Sequence, residues 1–155
     1  MQLKWLYVVT LAMVLFVVAV ATGKALWGGE PGSLHWSERL FQGICHRIPS
    51  RTYHLNELPM AVNTRCFGVF AGLAAGWLAI PIMGRALLQK RWPLWFLVLA
   101  LLIQIFDVGG NIVSIWTNTN HSRFLLGSLL GLAMAASVAG QFFNPEQRQP
   151  SNTSG

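Results

Sequence analysis

Both cysteines of this chain fall in two short polar stretches, Gly43–Arg51 with Cys45, His46, Arg47 and Arg51, and Asn63–Gly68 with Arg65 and Cys66. Two thiolates and an imidazole are donors that a zinc-like thiophilic metal accepts, so Cys45, His46 and Cys66 form a candidate ligand set, with Asp107 or water as a fourth donor. The same thiols would also serve as a disulfide on an oxidising face, as a redox pair facing a quinone, or as small buried hydrophobes. Residue types leave these alternatives open. Around them, Arg47, Arg51, Arg65 and Arg123 face a single acidic residue, Asp107. Guanidinium forks bind phosphate or carboxylate oxygens in bidentate fashion, so this excess suits an anion. The plainer alternative is that Arg65 or Arg123 pairs with Asp107 to pin two helices. Arg47, Arg51, Arg65, Asp107, Asn120 and Arg123 are therefore candidates for anion binding or helix pairing.

Other chemistries are excluded by what the chain lacks. No serine sits in a nucleophile elbow, no glycine-rich loop is placed for phosphate, and no two carboxylates are spaced for acid–base work. Of the 155 residues, 54% are hydrophobic and 10% charged, against about 25% charged in soluble domains. That deficit means a lipid-embedded protein whose first partner is the bilayer. The net charge of +6 lies beside apolar runs, where it sets topology and meets headgroups rather than nucleic acid.

Four apolar runs must position the polar residues: 5–22, 66–88, 93–116 and 124–143. Each approaches the roughly 20 residues needed to cross a bilayer. The first also resembles a signal peptide, but the other three already commit the chain to the membrane, and it is expected to be a retained helix. Arg85, Lys90 and Arg91 crowd one short connector, which places that connector and both termini on the cytoplasmic side. The segment 23–65 is then an external loop, its bases diluted by Glu30, Glu38 and Glu57. Ser33 is expected to cap a short interfacial helix carrying Leu34, Ser37, Leu40, Phe41 and Ile44, stopped by Pro49. Residues 1–143 make one membrane domain, and the polar 144–155 is expected to be a disordered tail.

Small residues recur four apart as Gly68, Gly72 and Gly76 in the second run and Gly127 and Gly131 in the fourth. That spacing lets helix backbones approach closely in lipid, and bundle packing within one chain is its expected use. In the third run Gln104, Asp107, Asn111 and Ser114 form one polar stripe. With the helix ending near Trp116, Asp107 would lie about 13 Å below its end. A carboxylate at that depth needs a partner or a proton.

These residues, in this order, resemble the domain of unknown function family 2085, small predicted membrane proteins, mostly bacterial. The resemblance rests on Cys45-His46, Pro49, Arg51-Thr52, Arg65-Cys66-x-Gly68, Asp107, Thr119-Asn120-x-x-Arg123, Gly127 and Gly131. One cysteine of the family pattern is replaced here by Asn63, which removes a Cys-x-x-Cys chelate. The resemblance implies that these scattered residues belong together, in a bacterial inner membrane, and brings no known activity. The expected architecture is an all-α, four-transmembrane-helix bundle with an ordered external loop. Two functions fit: an accessory or structural subunit of a membrane complex, with other membrane subunits as partners, or a membrane enzyme or carrier for an anionic or quinone-like lipid.

Overall fold

The computed structural model describes residues 2–30, 32–46, 48–88 and 92–142. Four long helices dominate: α1 (Gln2–Ala21), α4 (Thr64–Leu88), α5 (Trp92–Ile112) and α6 (Asn120–Phe142). All four are long and apolar enough to cross a membrane. Large side chains along them face outward, Trp95 at 72% exposure and Phe106 at 73%, which only a lipid surround satisfies. The protein is an all-α polytopic membrane protein. The tail 144–155, Arg47, Lys90 and Arg91 lie outside the described residues.

Helix α6 is the spine: α4 packs along it, α5 packs on it less extensively, and α1 leans on α4. Glycines decide how near α4 and α6 come. A Cβ added at Gly72 would lie 2.2 Å from the Ser128 carbonyl oxygen, and one at Gly131 2.2 Å from that of Val69. The small-residue faces of the second and fourth runs thus meet each other, a backbone contact that lipid cannot replace. Between α1 and α4 the tie is polar. Tyr7 Oη donates to the Trp77 carbonyl (3.0 Å), Trp77 Nε1 donates to the Tyr7 carbonyl (3.2 Å), and the two rings stack.

The segment joining α1 to α4 folds over the bundle end. It holds two short helices, α2 (Lys24–Trp27) and α3 (Trp36–Phe41), then a 3-10 turn (Pro49–Arg51) and a small hairpin, β1 (His54–Leu55) with β2 (Leu58–Pro59). Asn56 and Glu57 make the hairpin turn with positive φ, 50° and 65°, the conformation that two-residue hairpins demand. Ala61 N–H donates to the Ala21 carbonyl (3.1 Å), and Ala21, Phe41, Cys45, Ala61 and Val62 form a buried cluster against Phe67 and Phe70 of α4.

Two expectations are corrected here. The interfacial helix begins at Trp36, not after Ser33, and stops at Phe41 well before Pro49. His35 caps it: its side chain accepts from Ser37, and Glu38 reaches back to the His35 N–H, a capping box. Ser33 is occupied elsewhere, its hydroxyl on Glu30 and its carbonyl on Lys24. The second correction is that α5 ends at Ile112, not Trp116. Ser114 takes φ 60°, Ile115 N–H bonds to the Gly110 carbonyl (2.9 Å) and Ser114 N–H to that of Asn111 (3.3 Å). This is a Schellman stop. It folds Trp116 back over Gly110 and removes Ser114 from the polar stripe into an exposed turn.

Lys24 and Glu38, two charges of the segment 23–65, are a buried pair. Nζ lies 3.5 Å from Oε1 and the side chains are 4% and 2% exposed. Removing one partner strands the other in a dry site. Glu38→Gln should therefore cost roughly 3–5 kcal/mol, read as a lowered thermal midpoint in detergent, whereas Lys24→Met with Glu38→Leu should cost far less. Equal loss in the single and double variants would show that the pair is not the cause.

Candidate functional site

The site grows from Asn63, the residue immediately before α4. Its backbone N–H donates to Cys45 Sγ (3.3 Å) and its Nδ2 to the His46 carbonyl (2.7 Å). Its Oδ1 accepts from Ile48 N–H (3.0 Å) and from the Thr52 hydroxyl (3.2 Å). One side chain thus straps residues 45–52 onto the start of α4, the position where the family pattern has a cysteine. The amide oxygen is spent on the loop, so the first-turn N–H groups of α4, which have no intrahelical acceptor, are left without an Asn63 side-chain cap.

Cys45 and Cys66 come together. Cys45 is buried and Cys66 half-buried, both are free thiols, and Cys66 packs against the buried cluster that holds Cys45. The Cys45 thiol is pushed down to about 6, chiefly by the bond from Cys66, then by the Asn63 N–H and the nearby His46 charge, against the opposing effect of burial. His46 does not join them: it is exposed. Among the described residues no three His, Cys, Asp or Glu side chains gather as metal ligands. The expected Cys45–His46–Cys66 set is therefore not assembled, because the chain turns between adjacent residues and sends one side chain inward and the other out.

Asp107 has two partners. Arg65 Nη2 pairs with its Oδ2, and Asn118 Nδ2 donates to the same oxygen (2.7 Å). The bridge ties α4 to α5, two helices that otherwise pack on α1 and α6. With α5 ending at Ile112, Asp107 lies five residues from the helix end, about 7.5 Å, shallower than expected. Gln104 is spent on the Leu126 carbonyl of α6 (2.8 Å). Asn120 opens α6 away from the cavity, and Thr119 caps that helix by accepting the Ser122 N–H (3.2 Å).

Beside this bridge lies a cavity of about 280 Å³ lined by Arg51, Asn63, Thr64, Arg65, Cys66, Val108, Asn111, Ile112 and Arg123. Arg123 stands within electrostatic reach of Arg51, Arg65 and Asp107. Among the described residues neither Arg51 nor Arg123 has a carboxylate at ion-pair distance. Thr64 is fully buried, and its hydroxyl has no hydrogen-bond partner among the described residues. Tyr53, from the loop, and His121, in the first turn of α6, join their side chains through a 3.1 Å bond. Asn63, Thr64 and Asn118 are not among the site candidates read from the sequence, although Asn63 and Thr64 lie in the polar stretch Asn63–Gly68 and Asn118 in the polar run before α6.

A fold and site of this kind define a polytopic membrane protein with a basic pocket at one lip of its bundle. The family model described as predicted membrane protein (DUF2085) matches residues 45–137, more than half of the chain, and the chain belongs to that family. An uncharacterized protein of Methanocaldococcus jannaschii is 28% identical over 100 residues, 64% of this chain and 64% of the relative. The match thus covers less than two thirds of that curated relative's length. That relative is archaeal, so it lends no support to a bacterial setting. No solved structure matches the chain.

Proposed function

We propose that the protein binds an anionic group, a phosphate or carboxylate, in the Arg51–Arg65–Arg123 cavity, and that it carries or acts on an anionic or quinone-like membrane lipid there. The observation that carries this reading is a cavity lined by three guanidiniums, of which Arg65 alone has a carboxylate at ion-pair distance among the described residues, together with the buried Thr64 hydroxyl that has no partner among those residues. A buried hydroxyl without a partner costs about 1–3 kcal/mol, a cost that a bound oxyanion removes. The positive end of α4 opens at the same place, and helix N-termini favour anions. In this reading the pocket faces outward and the connector with Arg85, Lys90 and Arg91 faces the cytoplasm, on the strength of that connector's charge density.

The test is binding to the purified protein of short-chain phosphatidic acid and of phosphatidylcholine of equal chain length, followed by native mass spectrometry or calorimetry. Phosphatidic acid should bind at least tenfold more tightly. Arg123→Ala and Thr64→Val should each lose on the order of tenfold, since a charge-assisted bond contributes about 1.5–3 kcal/mol. Arg39→Ala, at an exposed position of α3, should change nothing. Equal binding of the two lipids, or an Arg123→Ala variant indistinguishable from wild type, would leave the accessory-subunit reading as the better one.

A further inference from the structure

The cavity reading leaves the thiol pair without a role. Cys45 stands on the loop, Cys66 in the first turn of α4, and Cys66 packs against the buried cluster that holds Cys45. Cys45 Sγ also receives the Asn63 N–H at 3.3 Å, so it is the sulfur of the two that a backbone donor meets. Donors stabilise a thiolate, and the thiolate is the reactive form of cysteine. Cys45 is only 6% exposed and sits among Val20, Phe41, Ala61 and Val62. A bulky disulfide or an alkylating protein cannot reach it, whereas a molecule the size of a hydroperoxide can. Cys66 is half-buried and lines the basic cavity, which gives the pair an opening to small reactants.

We propose that Cys45 and Cys66 are a hydroperoxide-responsive pair that closes to a disulfide and reopens with thiols, covalently fastening the Arg51 loop to α4. The Cys45 thiolate attacks one peroxide oxygen; an S–O bond forms, the O–O bond breaks, and the departing alkoxide or hydroxide takes a proton. The product is a sulfenic acid, the first step of cysteine oxidation. The Cys66 sulfur then attacks Cys45 Sγ. An S–S bond forms, the S–O bond breaks, and hydroxide leaves with the Cys66 proton as water. The pair gives up two electrons and two protons, and the hydroperoxide is reduced to an alcohol, or to water, plus water. The consequence is positional: Arg51 follows Cys45 by six residues, and Arg65 immediately precedes Cys66. Oxidation therefore fixes the two arginines relative to each other.

The experiment uses the full chain in nanodiscs, reduced and then treated with equimolar hydrogen peroxide. The wild type should lose about 2 Da and both titratable thiols, and dithiothreitol should restore them. With Cys66→Ser, Cys45 should gain about 16 Da as a sulfenic acid, read by intact-mass spectrometry; with Cys45→Ser, Cys66 should react at least tenfold more slowly than the wild-type pair. Circular dichroism checks that each variant is folded. Two outcomes overturn the proposal: a folded wild type that keeps both thiols, and a Cys45→Ser variant whose Cys66 oxidises as fast as the pair. Neither measurement involves the anion, so it stands or falls apart from the lipid reading.

Discussion

Gly131→Leu should separate α4 from α6 and leave the protein unable to refold in detergent. A Cβ at Gly131 would meet the Val69 carbonyl oxygen at 2.2 Å and Leu73 N at 2.6 Å, all of them backbone atoms. No side chain can move aside to make room. At Gly127 the obstacle is the Arg65 carbonyl oxygen at 2.3 Å. A leucine here must push apart the two helices on which α1 and α5 pack. Overpacking alone costs about 1–3 kcal/mol, and loss of the close backbone contact adds to it. Gly109→Leu, in α5, is the control, since a Cβ there meets nothing within 4 Å. The check is thermal unfolding followed by tryptophan fluorescence in one detergent. A Gly131→Leu midpoint within a degree or two of the control would mean that the α4–α6 contact does not carry the fold.

Asp107→Ala should be the second large loss, roughly 2–4 kcal/mol. The figure lies below that for a fully buried pair because Arg65 is 26% exposed. The carboxylate holds both Arg65 of α4 and Asn118 of the turn before α6, so its removal loosens three elements. A double-mutant cycle with Arg65→Ala isolates the bridge. The two single losses added together should exceed the loss in the double variant by a coupling of about 1–3 kcal/mol. Additive losses would show that Arg65 and Asp107 are neighbours and not a tie. Asp107→Asn, which still accepts hydrogen bonds, should fall between Ala and wild type.

Much of this site was legible from residue types. Asp107 in an apolar helix demanded a partner, and Arg65 was one of two offered. The glycines four apart announced a close helix contact. What could not be read was where each helix stops. A serine in the left-handed conformation is uncommon, so nothing in Val113-Ser114-Ile115 warned that α5 would end there and bring Trp116 back. In the same way, Lys24 and Glu38 look like solvated loop charges until the fold places them against each other.

Composition and periodicity by themselves determine that this chain lives in lipid, crosses it with four helices, and carries its chemistry in a few polar residues. Hydrophobic patterning is local, and lipid admits few alternatives to a helix. Only the tertiary structure decides that Cys45 meets Cys66 while His46 turns away, that Asn63 straps the loop, and that Thr64 is buried without a partner among three arginines. Those outcomes depend on the direction of single side chains at a chain turn. Packing between segments far apart in sequence sets that direction, and spacing along the chain does not encode it.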